Sequence, residues 1–191
     1  MSHILLFGGT FDPVHNGHVA MLNCAIDTIR PDETWVLPAG APWQKSGQPL
    51  AAAHRIAMLR LSMPDAVIDT REVDRAGSTY TVDTLARLHA EYPGDTFCWL
   101  IGSDSFKGLN SWCDPKTLAT LTSFAVVRRA TEAIVVPSGK AEFRYQEVVC
   151  APSPVSSTDI RKRCLRGESI RGLVPDAVCD YIQQHHLYHF P

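Results

Sequence analysis

The stretch FGGTFDPVHNGHVAMLNCAIDTIRP, residues 7–31, joins the end of a short apolar run to a segment with the periodicity of a helix. The apolar residues at helical spacing in that segment are Val19, Leu22, Ala25, Ile26 and Ile29. The stretch predicts a strand, a glycine-rich turn and a helix that packs on a sheet. In such a unit the helix N-terminus lies at the carboxyl end of the strand, where its free N–H groups favour an anion.

The rest of the chain continues the alternation of apolar runs with helical segments. Strands are predicted at residues 3–7, 34–37, 66–68, 97–101, 124–127 and 147–149. Helices are predicted at residues 18–29, 51–61, 82–91, 117–121, 158–165 and 176–185. This order is typical of one α/β domain over residues 1–191, Rossmann-like, with a mainly parallel sheet covered by helices on both faces.

Composition narrows the class of protein. The chain has 191 residues, 45% of them hydrophobic and 20% charged, with a formal net charge of −2. These values argue against disorder and against a broad cationic surface for a nucleic acid polymer. No apolar segment reaches the roughly 20 residues of a membrane-spanning helix, and the start of the chain lacks the pattern of a signal peptide. We therefore expect a cytoplasmic protein; its oligomeric state has no signal in the sequence.

The six cysteines show no CxxC pair and no short cluster with histidine. This spacing argues against a zinc ribbon and against a dense disulfide framework. We expect reduced thiols, as in a cytosol.

Two histidines, His15 and His18, flank the start of the first predicted helix. At this spacing both can donate to a phosphate, and Gly8 and Gly9 allow the backbone to approach it. Three alternatives stay open: a zinc pair, a dinucleotide fingerprint, and histidines that only cap the helix. A zinc pair lacks a nearby third ligand, and the GxGxxG spacing of a dinucleotide fingerprint is absent.

A second anion-binding pattern is VSSTDIRKRC, residues 155–164. Ser156, Ser157 and Thr158 can cap a helix while their hydroxyls and amides face an anion. Arg161, one turn further, can clamp a phosphate with its guanidinium. The alternative is an ordinary helix cap followed by a solvated basic face.

Together, HNGH at residues 15–18 and the ISSTxIR-like segment at residues 155–164 resemble the two signatures of the HxGH nucleotidyltransferase superfamily. The resemblance implies that His15 and His18 are catalytic. It also implies an ATP site, whose predicted residues are Gly8, Gly9, Thr10, Phe11, Lys45, Arg129, Ser156, Ser157, Thr158 and Arg161.

Two further segments are similar to motifs of bacterial nicotinate mononucleotide adenylyltransferases: STYTVDTL at residues 78–85 and IGSDSFKGLNSW at residues 101–112. In that family, amides of the first segment receive the nicotinate carboxylate and the tryptophan of the second stacks on the pyridine ring. The resemblance therefore implies a mononucleotide site made of Tyr80, Thr81, Val82, Gly102, Asp104 and Trp112. As alternatives, Trp112 is a core residue, and Asp104 only caps the next helix.

Two loops depart from the family pattern. LPAGAPWQK, residues 37–45, keeps Lys45 but has Trp43 and Gln44 where the family has proline and histidine. VVRRATE, residues 126–132, keeps two arginines without the proline and glycine that follow them in the family. We expect Lys45 and Arg129 to contact the triphosphate, with Arg128 as a further candidate.

The resemblance implies transfer of the adenylyl group of ATP to nicotinate mononucleotide, with Mg²⁺ delivered on ATP. No cluster of acidic residues in the sequence indicates a protein metal site. Two other functions stay open. Phosphopantetheine adenylyltransferases share both signatures, and a nucleotide-binding regulator could retain the fold without turnover.

Overall fold

A computed structural model describes residues 1–40, 49–75, 77–128, 133–139 and 141–188. The strands are β1 His3–Gly9, β2 Glu33–Pro38, β3 Val67–Ile68, β4 Thr96–Gly102, β5 Ser123–Arg128 and β6 Tyr145–Val149. The helices are α1 Asn16–Ile29, α2 Ala52–Ser62, α3 Thr81–Glu91, α4 Ser103–Lys107, α5 Pro115–Leu121, α6 Ser157–Leu165 and α7 Asp176–Gln184, with a 3-10 turn at Leu109–Ser111.

The strands form one sheet in the order β3-β2-β1-β4-β5-β6, and every neighbouring pair is parallel. Successive residues of β1 point to opposite faces. Leu5 packs in a core with α1, α2, α6 and α7, while Ile4 and Leu6 pack in a second core with α3, α4 and α5. The predicted α/β fold, a parallel sheet with helices on both faces, is confirmed.

All six predicted strands are present, and each predicted helix has a counterpart within the described residues. The sequence missed α4, Ser103–Lys107, because five residues are too few for a helical period to show. Within the described residues no helix is long and apolar enough to cross a membrane.

The prediction that all six cysteines are reduced thiols is wrong at Cys24 and Cys150, which form a disulfide. Cys24 belongs to α1 and Cys150 directly follows β6, and their Cα atoms are 5.8 Å apart. The two residues are separated by 126 positions in the sequence, so only the packing of α1 against the β6 end of the sheet brings them together. Cys98, Cys113, Cys164 and Cys179 are free thiols, as predicted.

Candidate active site

The candidate site lies at the carboxyl edge of the sheet, around the end of β1. There β1 has β2 on one side and β4 on the other, and the chain winds outward from it in both directions. Open parallel sheets bind ligands at such a point. Successive residues of β1 line two different cavities, Phe7 the first and Gly8 the second.

The first, the histidine cavity, has a volume of about 390 Å³. Its walls include both signature segments: His15, Gly17 and His18 on one side, and Ser156, Ser157 and Thr158 on the other. Other residues that line this cavity include Gly102, Asp104, Arg128 and Ser153. Volumes of this order are typical of small-molecule sites.

The two histidines form a reciprocal cap at the start of α1. His15 is the N-cap residue, and its Nδ1 accepts a hydrogen bond of 3.3 Å from the backbone N–H of His18. Nδ1 of His18 accepts from the backbone N–H of His15, also at 3.3 Å. The rings stack with centroids 3.7 Å apart. The capping alternative is therefore part of the geometry, but it occupies only Nδ1 of each ring.

This cap sets the tautomer of the neutral rings. An imidazole nitrogen that accepts a hydrogen bond carries no proton, so the proton of each neutral ring is on Nε2. His15 is buried, and burial lowers its pKa from 6.5 to about 4. At neutral pH, His15 is therefore an uncharged Nε2–H donor rather than a cation.

Gly17 gives the histidines room. A Cβ at this position would lie 3.0 Å from Nδ1 of His15 and 2.9 Å from Oγ of Ser153. Any side chain at this position would press on the ring of His15 and on the cavity wall. The glycine of HNGH thus permits the stacked arrangement.

Phe11 does not line either cavity; it lies beneath His18. Its ring meets the His18 ring edge-on, with centroids 5.1 Å apart, and it is 2% exposed. A contact of Phe11 with ATP stays a prediction. Its place indicates support of the His18 ring.

The two signature segments, some 140 residues apart, contact each other directly. Oγ of Ser157 donates a hydrogen bond of 2.9 Å to the carbonyl oxygen of Pro13. Ser156 caps α6 by accepting from the backbone N–H of Asp159. The start of α6 therefore faces the histidine cavity with its first turn, as the sequence predicts.

The side chain of Arg161 contacts the turn between β1 and α1 and lines neither cavity. Its Nη1 donates 2.7 Å to the carbonyl oxygen of Asp12 and lies 4.0 Å from Oδ2 of that residue. Arg161 is absent from the walls of both cavities. The structure places it under the turn between β1 and α1, and a phosphate contact for it stays a prediction.

Asp104 lies in the first turn of α4, whose N-cap is Gly102. It is thus not the cap of that helix, which was the alternative reading. Both residues line the histidine cavity, together with Arg128, whose Nε is paired with Glu147 at 2.8 Å. They do not line the cavity that holds the other residues predicted for the mononucleotide.

That second cavity, the tyrosine cavity, has a volume of about 150 Å³, the size that encloses one six-membered aromatic ring. Its lining includes Tyr80, Thr81, Val82 and Trp112 from the two mononucleotide motifs. It also includes Gly8, Gly9 and Thr10, which the sequence assigns to ATP. These three residues thus share a cavity with the residues predicted for the mononucleotide.

The N-terminus of α3 borders the tyrosine cavity. Thr81 is the first residue of α3, and the side chain of its N-cap, Tyr80, makes no capping hydrogen bond to the helix. A helix start of this kind favours a carboxylate. Trp112 is half-buried: it packs against the second core and also forms part of the cavity wall, so the core alternative describes one side of its environment.

Trp99 closes the floor of the tyrosine cavity. A Cβ on Gly8 would collide with its ring, so glycine at this position allows the indole to lie against β1. Trp99 is 4% exposed and belongs to the core. No motif of the sequence analysis includes Trp99, although it borders this cavity.

Glu72 is a second wall residue that the sequence did not reveal. It is 7% exposed, and its Oε1 accepts a 2.8 Å hydrogen bond from Oγ1 of Thr84 in α3. Burial raises the pKa of its carboxyl group, and the hydrogen bond from Thr84 opposes that rise. The contact holds the first turn of α3 in place beside the cavity.

Lys45 and Arg129, predicted to contact the triphosphate, lie outside the described residues, as do Trp43 and Gln44. Over the parts of the chain that the structure describes, no group of three or more His, Cys, Asp or Glu residues is arranged to hold a metal ion.

The low pKa of His15 predicts how stability depends on pH. The unfolded chain takes up a proton at this residue near pH 6.5, whereas the folded chain does so only near pH 4. The free energy of unfolding should therefore fall as the pH is lowered from 6.5 to 4. His15→Asn, which keeps a capping acceptor, should flatten this slope by up to about 1.4 kcal/mol per pH unit. Urea unfolding across this range measures it.

His186→Asn is the matched control, since His186 is exposed and its replacement should leave the slope of the wild type unchanged. Equal slopes for the wild type and His15→Asn would contradict the buried, neutral state of His15.

Comparison with known proteins identifies the family of the chain. The cytidylyltransferase-like family model matches residues 6–163. A protein of Bordetella pertussis named "Probable nicotinate-nucleotide adenylyltransferase" is 35% identical over 197 residues, which cover 98% of each chain. A relative of the same name from Leifsonia xyli is 37% identical and covers 96% of this chain and 92% of its own.

Solved structures share the fold. Plasmodium falciparum nicotinic acid mononucleotide adenylyltransferase complexed with APC superimposes with a TM-score of 0.77 at 20% identity, over 98% of both chains. The same protein complexed with NaAD gives a TM-score of 0.73 at 21% identity.

Proposed function

We infer the function of this site from one premise: the chain belongs to the nicotinate-nucleotide adenylyltransferase family, within the cytidylyltransferase-like proteins. It transfers the adenylyl group of ATP to nicotinate mononucleotide, giving nicotinate adenine dinucleotide and pyrophosphate, a step of NAD biosynthesis. We propose that the enzyme acts in the cytoplasm.

One observation carries the assignment of chemistry to residues. The stacked histidines and the start of α6 face each other across the histidine cavity, and the tyrosine cavity opens on the other side of β1. This arrangement offers a phosphate-binding region beside a compartment for one aromatic ring. A mononucleotide joined to an adenylyl group needs both.

The attacking group is the 5′-phosphate of the mononucleotide, whose second pKa is about 6, so it is already anionic at neutral pH. No protein base is needed. The task of the protein is to align two polyanions and to stabilise negative charge on the transferring group and the leaving pyrophosphate. The Nε2–H groups of His15 and His18 and the first turn of α6 supply that stabilisation in our proposal.

Mg²⁺ enters as part of the ATP substrate in this proposal, and it neutralises charge on the phosphates. Lys45 and Arg129 are proposed to pair with the triphosphate. A phosphate contact of Arg161 stays a prediction, and Nη1, which carries two of its five N–H donors, binds the Asp12 carbonyl. We propose that Arg161 supports the turn that carries the histidines.

The mononucleotide is proposed to place its pyridine ring in the tyrosine cavity, between Trp112 and the mouth of α3. The amides of Thr81 and Val82 then receive the carboxylate. Gly102 and Asp104, on the side of the histidines, are proposed to contact ribose hydroxyls. This places the ribose between the ring and the phosphates, as the covalent order of the substrate requires.

The function is tested by pyrophosphate release from ATP with three acceptors: nicotinate mononucleotide, nicotinamide mononucleotide and phosphopantetheine. We expect the highest kcat/KM with nicotinate mononucleotide. A preference for phosphopantetheine would indicate the related adenylyltransferase instead. Binding of ATP without pyrophosphate release in the presence of any of the three acceptors would indicate a nucleotide-binding regulator.

A further inference from the structure

The turn between β1 and α1 is held by donors from three elements that are far apart in the sequence. Nη1 of Arg55, in α2, donates 2.8 Å to the carbonyl oxygen of Thr10. The hydroxyl of Tyr188, beyond the end of α7, donates 2.8 Å to Oδ1 of Asp12. Arg161 binds the Asp12 carbonyl from α6, as described above. Hydrogen bonds from the rest of the protein thus hold the turn at Thr10 and at Asp12.

Arg55 is an unusual residue for a core position. It is 2% exposed, and its Nε donates a second hydrogen bond of 2.9 Å to the carbonyl oxygen of Leu50. Burial lowers the pKa of its guanidinium, and the nearby carboxylate of Asp12 opposes that change. A buried cation is tolerated only where its donors find acceptors. The acceptors of Arg55 are backbone carbonyls, one of them in the turn before the histidines.

Tyr188 connects the C-terminal segment to the same turn. Burial and the negative charge of Asp12 both raise the pKa of Tyr188, so its hydroxyl is protonated and acts as the donor. Nothing in the proposed chemistry requires this phenol near the substrates, and it lines neither cavity. Its ring packs against the core, and its hydroxyl binds Asp12 of the turn.

Given the proposed function, we propose that Arg55 and Tyr188 are positioning residues for adenylyl transfer. They hold Thr10 and Asp12 so that the His15 ring, three residues after Asp12, stays in the histidine cavity. The two residues between Asp12 and His15 are themselves fixed by packing and hydrogen bonding. Val14 is fully buried in the core, and Ser157 holds the carbonyl of Pro13. Displacements near 1 Å at a reacting centre cost about 10²-fold in rate, so a looser turn should slow the reaction.

Tyr188→Phe tests this with the loss of one oxygen atom. We expect kcat to fall about 10-fold while KM for ATP stays within about twofold, because the substrates keep their direct contacts. Tyr181→Phe is the matched control. It removes a hydroxyl from the neighbouring helix α7, where the oxygen is 2.9 Å from Nδ1 of His54 and not in contact with the turn. Its kcat should equal that of the wild type.

A double-mutant cycle separates positioning from general loss of stability. If Tyr188 acts through the turn and His15, then Tyr188→Phe should lower kcat less than about threefold in a His15→Asn background. If the fold-decrease in kcat of the double variant equals the product of the two single fold-decreases, the proposal is overturned. Arg55→Lys, which keeps the charge but not the planar fork, should show a partial loss of kcat with the same dependence on His15.

A readout without substrate keeps this inference distinct from the proposed reaction. The ¹⁵N resonances of the His15 ring report its Nδ1 acceptor and Nε2–H donor state, and Tyr188→Phe should shift or broaden them while Tyr181→Phe does not. An unchanged His15 signal and an unchanged kcat in folded Tyr188→Phe would refute the proposal. A shifted signal in a protein that transfers no adenylyl group would support the positioning of His15 and refute the reaction.

Discussion

Replacement of His18 by alanine should lower kcat for adenylyl transfer by about 10²-fold or more. The ring occupies the third position of α1, and its Nδ1 accepts the backbone N–H of His15. The proton on Nε2 is therefore fixed on the far side of the ring, where a phosphate in the histidine cavity can accept it. Loss of one preorganised donor at a site where charge develops has an effect of this size.

Steady-state pyrophosphate release measures kcat, and His18→Gln separates catalysis from helix capping. A glutamine at the third helical position can still accept the N-cap N–H, as in an ordinary capping box. His18→Gln should therefore keep more of the wild-type stability than His18→Ala, and yet show a similarly low kcat. A folded His18→Gln or His18→Ala variant with the kcat of the wild type would refute the role of the imidazole.

The sheet could be predicted because its strands are parallel and buried on both faces. Ile4, Leu5 and Leu6 are all in the core, two on one face and one on the other. Such strands appear in a sequence as unbroken apolar runs between turn residues. The sequence also predicted a helix start at each of the two signature segments, whereas the direct contact between them is seen only in the structure.

Contacts that bring distant residues together could not be predicted in this way. Arg55 lies within an amphipathic segment, where an arginine normally indicates the solvated face. It is buried because two backbone carbonyls, those of Thr10 and Leu50, accept its hydrogen bonds. The pairing of Arg161 with Asp12 and the disulfide between Cys24 and Cys150 have the same origin. Each depends on where the fold places a residue more than 40 positions away.

The division of the site into two cavities also depends on geometry that the sequence does not contain. Gly8, Gly9 and Thr10 belong to the first signature, and the sequence groups them with ATP. They line the tyrosine cavity together with Tyr80, Thr81 and Val82, because the fold brings the carboxyl end of β1 and the turn after it beside the start of α3. Asp104, which the sequence groups with the mononucleotide residues, instead lines the histidine cavity, because it follows β4 on the short helix α4.

Nicotinate mononucleotide should be preferred over nicotinamide mononucleotide by about 10²-fold or more in kcat/KM. In the proposed mode, the carboxylate lies against N–H groups of Thr81 and Val82 at the start of α3. A carboxamide loses the charge of that hydrogen-bonded group and also turns an NH₂ donor toward N–H donors. Both changes disfavour the amide, and steady-state kinetics of the wild type with the two acceptors measures their sum. Equal use of acid and amide would contradict the assignment of the carboxylate to this helix start.

Trp112→Ala provides the control for that preference, because stacking on the pyridine ring depends little on its substituent. Trp112 is half-buried at the wall of the tyrosine cavity, and loss of its indole should weaken both mononucleotides by about 1–3 kcal/mol. The ratio between acid and amide should stay close to that of the wild type, since the amides of Thr81 and Val82 are intact. A collapse of that ratio in Trp112→Ala would mean that the indole, and not the start of α3, distinguishes the carboxylate from the carboxamide.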